Sequence, residues 1–594
     1  MADSSGVNAG KLVTFEVFSN GQKVSSAFCW ESLEVHREIN HIGRAVLKCI
    51  AGDMPNSNVP ESEAEEFKPG QKVRIEVGYK STNSLIFEGI VVSQKIIIND
   101  KKPSMLVVEC RDEAIKATVA RKNRVFEDKK DQEAVVAALG DCGLSVSMED
   151  TKIVHTQLVQ YYCTDWDFAL SRADVYGMVV TTDGAVVSIK KPVVSGPVLT
   201  VKYGTDLVSF NGEVYAEDQF TAVEGVGWDP AEQKTILASS SPASLNSQGN
   251  LTPGNLSSAA GADTVTLQTD ALSDASVLKE WVDATLLKTG LSRFRGTFSF
   301  VGNAAVVPGC VVKLEGMGAR FNGDVYVGAV THLINKGSWI TEVEMGISSM
   351  NITQQEDVMA PSASGLYPGI EGLHIGIVEA LAGDPASCSR IKVQIPLLNN
   401  KPDTVWARLS QFAASNGVGS FFIPSVGDEV ILGFLNNDPN HAIILGCLYS
   451  AKNVPAYEIT DDNFKRAFIT PEKLKIELDD EKKVMTMITP GENSIVINDE
   501  EKSITLKDQN KNQIVMGEKG IEISSDKDIV LKAKGNITFE ATGKMNIKAK
   551  QDTTIEGMNV TAKAQTSLKV TGSASAEISA SGQTTVKGAM VMIN

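Results

Sequence analysis

Residue types that commonly carry chemistry are present in this sequence, but they are scattered. His36, His41, His155, His332, His374 and His441 fall at no metal-ligand spacing, and there is no H-E-x-x-H pair. His374 and His441 lie on strand-like stretches and read as satisfied or surface side chains. Gly316-Met-Gly318-Ala-Arg-Phe-Asn-Gly323 invites a nucleotide-loop reading. However, no helical pattern follows it and its spacing is not G-x-G-x-x-G, so a hairpin turn is expected. Asp479-Asp480-Glu481 and Asp526-x-Asp528 could hold a cation, but both fall where tight, solvated turns belong. No G-x-S-x-G elbow occurs. Eight cysteines, at 29, 49, 110, 142, 163, 310, 388 and 447, form no C-x-x-C pair and read as free thiols of a reducing compartment. The expectation is no catalytic, cofactor-binding or metal residues, and a protein that is not an enzyme. The alternative of another class is a cell-wall-degrading or carbohydrate-binding enzyme using the acidic turns, which predicts turnover of glycans.

With chemistry so dispersed, weight passes to the elements, and the strongest pattern lies near the carboxy-terminal end. From Ile521 to Gly588 the chain repeats every eight residues as large-x-large-x-small. The large positions include Ile521, Ile523, Ile529, Leu531, Ile537, Phe539, Met545 and Ile547, then Ile555, Val560, Leu568, Val570, Ile578 and Val586. A ladder of small residues keeps the same phase: Ala533, Ala541, Ala549, Gly557, Ala564, Gly572, Ala580 and Gly588. One seven-residue step, between Thr553 and Val560, shifts the register, which then resumes. Alternation puts the first, third and fifth positions of each octad on one face of a short strand. A fixed short period with an inward stripe marks a solenoid or β-helix, whereas a disordered tail keeps no phase.

One chain cannot fill such a coil with three inward residues per turn. Burying one Ile or Leu is worth roughly 1.5–3 kcal/mol, so a wet row forfeits most of its stabilisation. Several identical chains wrapped about one axis solve this. Three is the expected number, since three short strands make the flat faces of a prism. At about 4.8 Å per strand the octads make a shaft on the order of 40 Å. Beyond them, Met590, Val591, Met592 and Ile593 form an apolar end, expected to dock a separate cap protein or to seal the trimer itself.

The 594 residues are enough for three or four domains, and a net charge of −17 argues against nucleic acid or an anionic membrane as the main partner. No run of apolar residues suggests a membrane span, and MADSSGVNAG is not a Sec signal. Residues 1 to about 235 read mainly as strands. Helices are expected from Asp131 to Leu139, from Trp166 to Tyr176 with Thr164 as cap, and after Ser273 through Leu286. The polar, breaker-rich stretch 236–275 reads as a long surface loop. An internal repeat brackets it. Pro69-Gly70-Gln-Lys-Val73-Arg-Ile75-Glu76 matches Pro308-Gly309-Cys-Val-Val312-Lys-Leu314-Glu315, and Phe87-Glu-Gly89 matches Tyr326-Val-Gly328 at equal distance. Two similar β-barrel subdomains follow, and three chains would then give a ring with six similar positions. Residues 365–450 offer five strands, suited to an OB-type barrel with a structural role.

Val426-Gly-Asp-Glu-Val-Ile-Leu-Gly-Phe-Leu-Asn-Asn-Asp-Pro-Asn440, running to Tyr449, resembles the OB signature of the VgrG spike proteins of type VI secretion, relatives of phage tail hubs and needles. Trp406-Ala-Arg408, Phe421-Phe-Ile-Pro424, the duplicated region and the octads fit the same family in the same order. The resemblance implies a mainly β fold: a duplicated β-barrel hub domain at 1–360, an OB-fold neck at 361–455 and an intertwined triple-stranded β-helix (β-prism) needle at 470–594. It implies a homotrimer docked on a hexameric Hcp-type tube, held among baseplate proteins, capped by a PAAR-like protein and carrying effector proteins. The implied work is membrane puncturing by contractile injection, with a phage or tailocin baseplate hub as the alternative. Ser450 to Lys473 is too short for an inserted enzyme, and no fused toxin is expected after the octads. Assembly in the bacterial cytoplasm and export without a Sec signal peptide complete the expectation.

Overall fold

The computed structural model describes residues 12–270, 274–397 and 403–593, so the first eleven residues and the expected Ser273 cap lie outside it. The chain divides into one unit up to Leu448 and a second from Tyr449.

In the first unit, alternation builds the sheets. Strand Lys72–Tyr79 turns Val73, Ile75 and Val77 inward, all fully buried, as a period-two pattern requires. Together with Val13–Ser19, Cys29–Glu38, Arg44–Ile50, Thr82–Ile97 and Met105–Arg111 it surrounds a core that includes Leu33, Leu47, Phe67 and Phe87. A second set, Leu207–Val214, Phe294–Val301, Val311–Glu315, Gly323–Asn335 and Ser338–Met345, surrounds Phe298, Phe300, Leu314 and Val343. The two are not separate sheets. Strand Gly323–Asn335 pairs with Ser338–Met345 on one side and with Cys29–Glu38 on the other, so one thirteen-stranded sheet serves both cores.

The sequence repeat appears as the same three-strand meander in each half, Lys72–Tyr79 to Met105–Arg111 and Val311–Glu315 to Ser338–Met345. Gly70 N–H donates to the Val91 carbonyl and Gly309 N–H to the Val327 carbonyl, both at 2.8 Å. Both glycines hold positive φ, 97° and 84°, which a Cβ would strain. The register differs, however. Lys72 stands opposite Ile90 while Val311 stands opposite Tyr326, so Ile90, not Phe87, occupies the Tyr326 place. The two hairpins close differently: the first through Lys80 and Ser81 with a bulge between Ile75 and Glu76, the second through the longer Gly316–Asn322 segment with no bulge.

Helices Asp131–Gly140 and Asp165–Val175 stand where the sequence puts them, and Thr164 Oγ1 accepts the Asp167 N–H. The third runs Ala275–Leu291 with Asp274 as its cap and continues through Gly290. Residues 236–275 differ from the expected loop. They include the end of strand Lys234–Ser239, a helix Pro253–Ala260 behind a Thr252 capping box, and strand Thr264–Thr269, which pairs in parallel with Ala222–Asp229. The short T-V-T-L-Q-T run gains its strand identity from that long-range parallel partner, which local pattern does not announce. Five strands, His374–Ala380, Ile391–Gln394, Thr404–Leu409, Ala442–Cys447 and Glu429–Phe434, close a barrel in that order around Val378, Val393, Val430, Leu432 and Ile444.

The second unit starts its regular structure at Lys465–Ile469, before residue 470. Six further strands follow: Lys475–Asp479, Val484–Ile488, Ser494–Asn498, Ser503–Lys507, Gln513–Gly517 and Gly520–Ser524. Each pairs antiparallel with the next, giving a seven-stranded meander. Ile521 and Ile523, placed by periodicity in the first octad, belong to its last strand. Residues 526–593 hold neither strand nor helix in this single chain, and every one of them is exposed.

Candidate functional site

The meander carries two aliphatic rows across its strands. One runs Ile476, Met487, Ile495, Leu506, Ile514 and Ile523; the other runs Leu478, Met485, Ile497, Ile504, Met516 and Ile521. Each side chain stands directly opposite the next, and period-two alternation puts both rows on one face. The positions between them, such as Glu477, Thr486, Thr505 and Glu522, give the other face its polar character. The aliphatic face is wet in the single chain: Ile476 is 43% exposed and Ile495 43%. An uncovered apolar surface of this extent marks an interaction site. The individual strands are legible in the sequence; their joining into one apolar face needs the register. Alternation such as V-M-T-M-I and S-I-V-I-N, repeated between turns, is the signal that could have found it.

At the entry to the meander, charges fix the first hairpin. Glu477 accepts from Lys475 Nζ at 2.7 Å, from the Tyr457 hydroxyl and from Lys465 Nζ at 3.0 Å, and these partners hold its carboxyl at about 2. Asp479 accepts from Lys465 and from the Lys482 N–H, which likewise holds it low. Asp480 pairs with Arg466. The acidic turn Asp479-Asp480-Glu481 is thus partly neutralised within the sheet, and among the described residues no group of His, Cys, Asp or Glu is arranged to hold a metal ion.

The expected core of the needle is exposed in one chain, from Ile529 (54%) and Phe539 (67%) to Ile578 (83%). The ladder Ala533, Ala541, Ala549, Gly557, Ala564, Gly572, Ala580 and Gly588 is exposed with it, as are Met590, Val591, Met592 and Ile593. No intrachain pairing brings these octads together.

The histidines are dispersed in space as in sequence. His155 Nε2 donates to the buried Asp131 carboxylate at 2.7 Å, where Arg172 and Tyr176 also converge. His374 meets the Glu371 carbonyl at 3.0 Å and His441 meets Asp438 at 3.1 Å. A cavity of about 490 Å³ in the first unit is lined by Glu38, Asp174, Asp218, Lys288, Arg295 and Glu344 among others. Its cations already serve its carboxylates: Lys288 reaches Asp174 at 2.6 Å and Arg295 reaches Asp218 at 3.3 Å. Gly316–Gly323 is a hairpin turn, closed by the Asn322 side chain on the Met317 N–H at 2.7 Å.

Residues 9–336 match the family described as the Alg8 N-terminal domain, residues 374–449 the type VI secretion system/phage-baseplate injector OB domain, and residues 483–541 the phage baseplate V C-terminal trimerisation domain. Over 110 residues the chain is 36% identical to the type VI secretion system spike protein VgrG3 of Vibrio cholerae, covering 17% of this chain and 11% of that protein. It is 34% identical over 110 residues to the actin cross-linking toxin VgrG1 of Vibrio cholerae, covering 17% and 10%. The matched stretch thus spans about a tenth of these relatives. A prophage tail protein of Shewanella oneidensis covers 57% of this chain and 99% of its own at 11% identity and a TM-score of 0.44. The first family accounts for more than half of the 594 residues, so the chain belongs to the Alg8 N-terminal-domain family, and it carries in addition a type VI secretion/phage-baseplate injector OB domain and a baseplate V trimerisation domain.

Proposed function

We propose that three copies of this chain form the puncturing spike of a contractile injection machine, and that its work is mechanical and not enzymatic. The observation that carries this is the two-row aliphatic face of the meander. All but the first strand of that face lies within the stretch matching a trimerisation domain, and only side chains like its own would cover it along its whole length. Three such sheets face to face enclose a dry prism. Below it, the octads continue the same inward stripe, with Ile529, Ile537, Phe539 and Ile547 turned to the axis and the small-residue ladder where chains come closest. Their lack of pairing in one chain fits strands whose hydrogen-bonding partners are the other two chains, since a buried backbone must be paired. Stiffness follows, because no chain unwinds without breaking bonds to both neighbours.

In the first unit, the duplicated meander gives each chain two similar modules. A trimer then offers six similar positions, which suits a hexameric Hcp-type tube. A PAAR-like cap on Met590–Ile593 and effectors carried on the spike complete the reading, with assembly in the bacterial cytoplasm and delivery by injection. A phage or tailocin baseplate hub is the second reading, favoured by the OB family's span of both systems. Sedimentation of the wild-type protein should return a trimer, and Ile537→Asp with Phe539→Asp should convert it to monomer or aggregate. A folded wild-type monomer at working concentrations would sink the proposal.

A further inference from the structure

Between Ile529 and Ile593 lie eight lysines, at 532, 534, 544, 548, 550, 563, 569 and 587, against four carboxylates, at 540, 552, 556 and 577. That stretch is therefore +4 while the chain as a whole is −17, which leaves −21 for the rest. The excess of lysine begins with the second octad, the first (521–528) being net negative. Every one of the twelve charges stands at an even place of its octad, and none at the first, third, fifth or seventh. Alternation puts even places on the face opposite the aliphatic stripe, so all twelve charges share the outer surface. In the single chain every one of these residues is exposed.

We propose that this lysine-bearing outer face is a docking surface for the anionic headgroups of a phospholipid bilayer. The inference rests on the threefold rod described above, in which three chains present 24 lysines and 12 carboxylates along one shaft. Clustered lysines close to an apolar end are the combination that draws a protein to an anionic membrane, and their attraction is diffuse and screened by salt. Lys587 stands three residues before Met590, the first of four exposed apolar side chains. The alternative polyanion, nucleic acid, is the poorer fit. Single strands are held by stacking on outward aromatics, and the only aromatic residue here, Phe539, belongs to the inward stripe; the stretch contains no arginine to fork onto base edges. An acidic bulk of −21 per chain keeps such contacts to the shaft.

The test is flotation of the full-length protein with vesicles of phosphatidylglycerol and phosphatidylethanolamine, beside vesicles of phosphatidylcholine alone, at low and high salt. Retention should depend on phosphatidylglycerol and fall at least tenfold in high salt. A variant with Lys532→Glu, Lys548→Glu, Lys563→Glu and Lys587→Glu should lose it, while the same four positions changed to Gln should bind at an intermediate level. Equal retention on both vesicles, unchanged binding by the Glu variant, or a stronger salt-matched affinity for duplex DNA overturns the inference. Sedimentation of each sample reports the assembly separately: a monomeric wild type defeats the rod, whereas a trimer that ignores phosphatidylglycerol defeats only the lipid surface.

Discussion

At the scale of single residues, burial decides what a titratable group can do. His332 lies on strand Gly323–Asn335, turned inward between Val330 and Ile334, and is fully enclosed. Burial, with a smaller contribution from the Arg37 charge, pushes its imidazole down to about 3. Its Nδ1 accepts from the Thr341 hydroxyl at 3.0 Å and Trp339 Nε1 points at it from 3.4 Å, both suited to a neutral ring. From about pH 6.5 down to 3 the unfolded chain binds a proton that the folded chain refuses, so stability falls as pH falls, by roughly 1.4 kcal/mol per pH unit. Urea unfolding of His332→Gln should show a shallower loss between pH 7 and pH 5 than the wild type, by about 2 kcal/mol; parallel profiles would exclude this account. The inward place of His332 is legible from alternation with its valine and isoleucine neighbours. The same sequence gives no hint that His155 reaches Asp131, because the strand and helix that bring them together are joined only by the fold. Asp131 is a counterweighted case: burial raises its carboxyl, and Arg172, Tyr176 and His155 together bring it below the usual range.

At the scale of elements, local signals carry what depends on neighbours in sequence. Thr164 caps its helix by accepting the Asp167 N–H at 3.0 Å, and Thr164→Ala should cost about 1 kcal/mol of stability. A chemical-denaturation midpoint identical to wild type would show the cap to be idle. Barrel strands His374–Ala380 to Ala442–Cys447 stand where alternation and the turns at Asp384 and Asp438 put them. Asp384 accepts from the Ala386, Cys388 and Arg390 N–H groups and from the Arg390 guanidinium, which fastens the turn between the first two strands. The stretch 236–275 reads otherwise in three dimensions, since Thr264–Thr269 is a strand only by virtue of pairing with Ala222–Asp229. Likewise, the matching aromatics of the internal repeat lose their equivalence because the two hairpins close through unequal turns and only the first carries a bulge.

At the scale of the whole molecule, the first unit builds buried apolar cores within one chain and the second, among the described residues, does not. The hub and barrel cores hold fully buried side chains such as Phe67, Phe298 and Leu432. In the second unit, Asp479 is the one buried residue among the described residues. In the proposed threefold assembly the second unit would reach its stable form through copies of itself, and its folding and its association would be one process. The exposed end Met590–Ile593 belongs to this scale as well. Binding of a PAAR-type cap protein to the purified spike should weaken at least tenfold on Met590→Asp with Met592→Asp. Unchanged affinity in a variant that still sediments as wild type would remove the docking role and leave those residues as a seal.

The sequence by itself determined the eight-residue phase from Ile521 to Gly588, the barrel signature at Val426–Asn440, the Thr164 cap and the presence of a duplicated module. All of these are written in neighbours a few residues apart, through the periods of strand and helix. Tertiary structure alone decided that one sheet runs through two cores of the first unit, that Thr264–Thr269 joins a separate three-stranded sheet beside its parallel neighbour Ala222–Asp229, and that six short strands align their aliphatic residues into one uncovered face. Those outcomes depend on register between distant segments, where a slip of one residue turns every side chain to the other face, and no local pattern holds that choice.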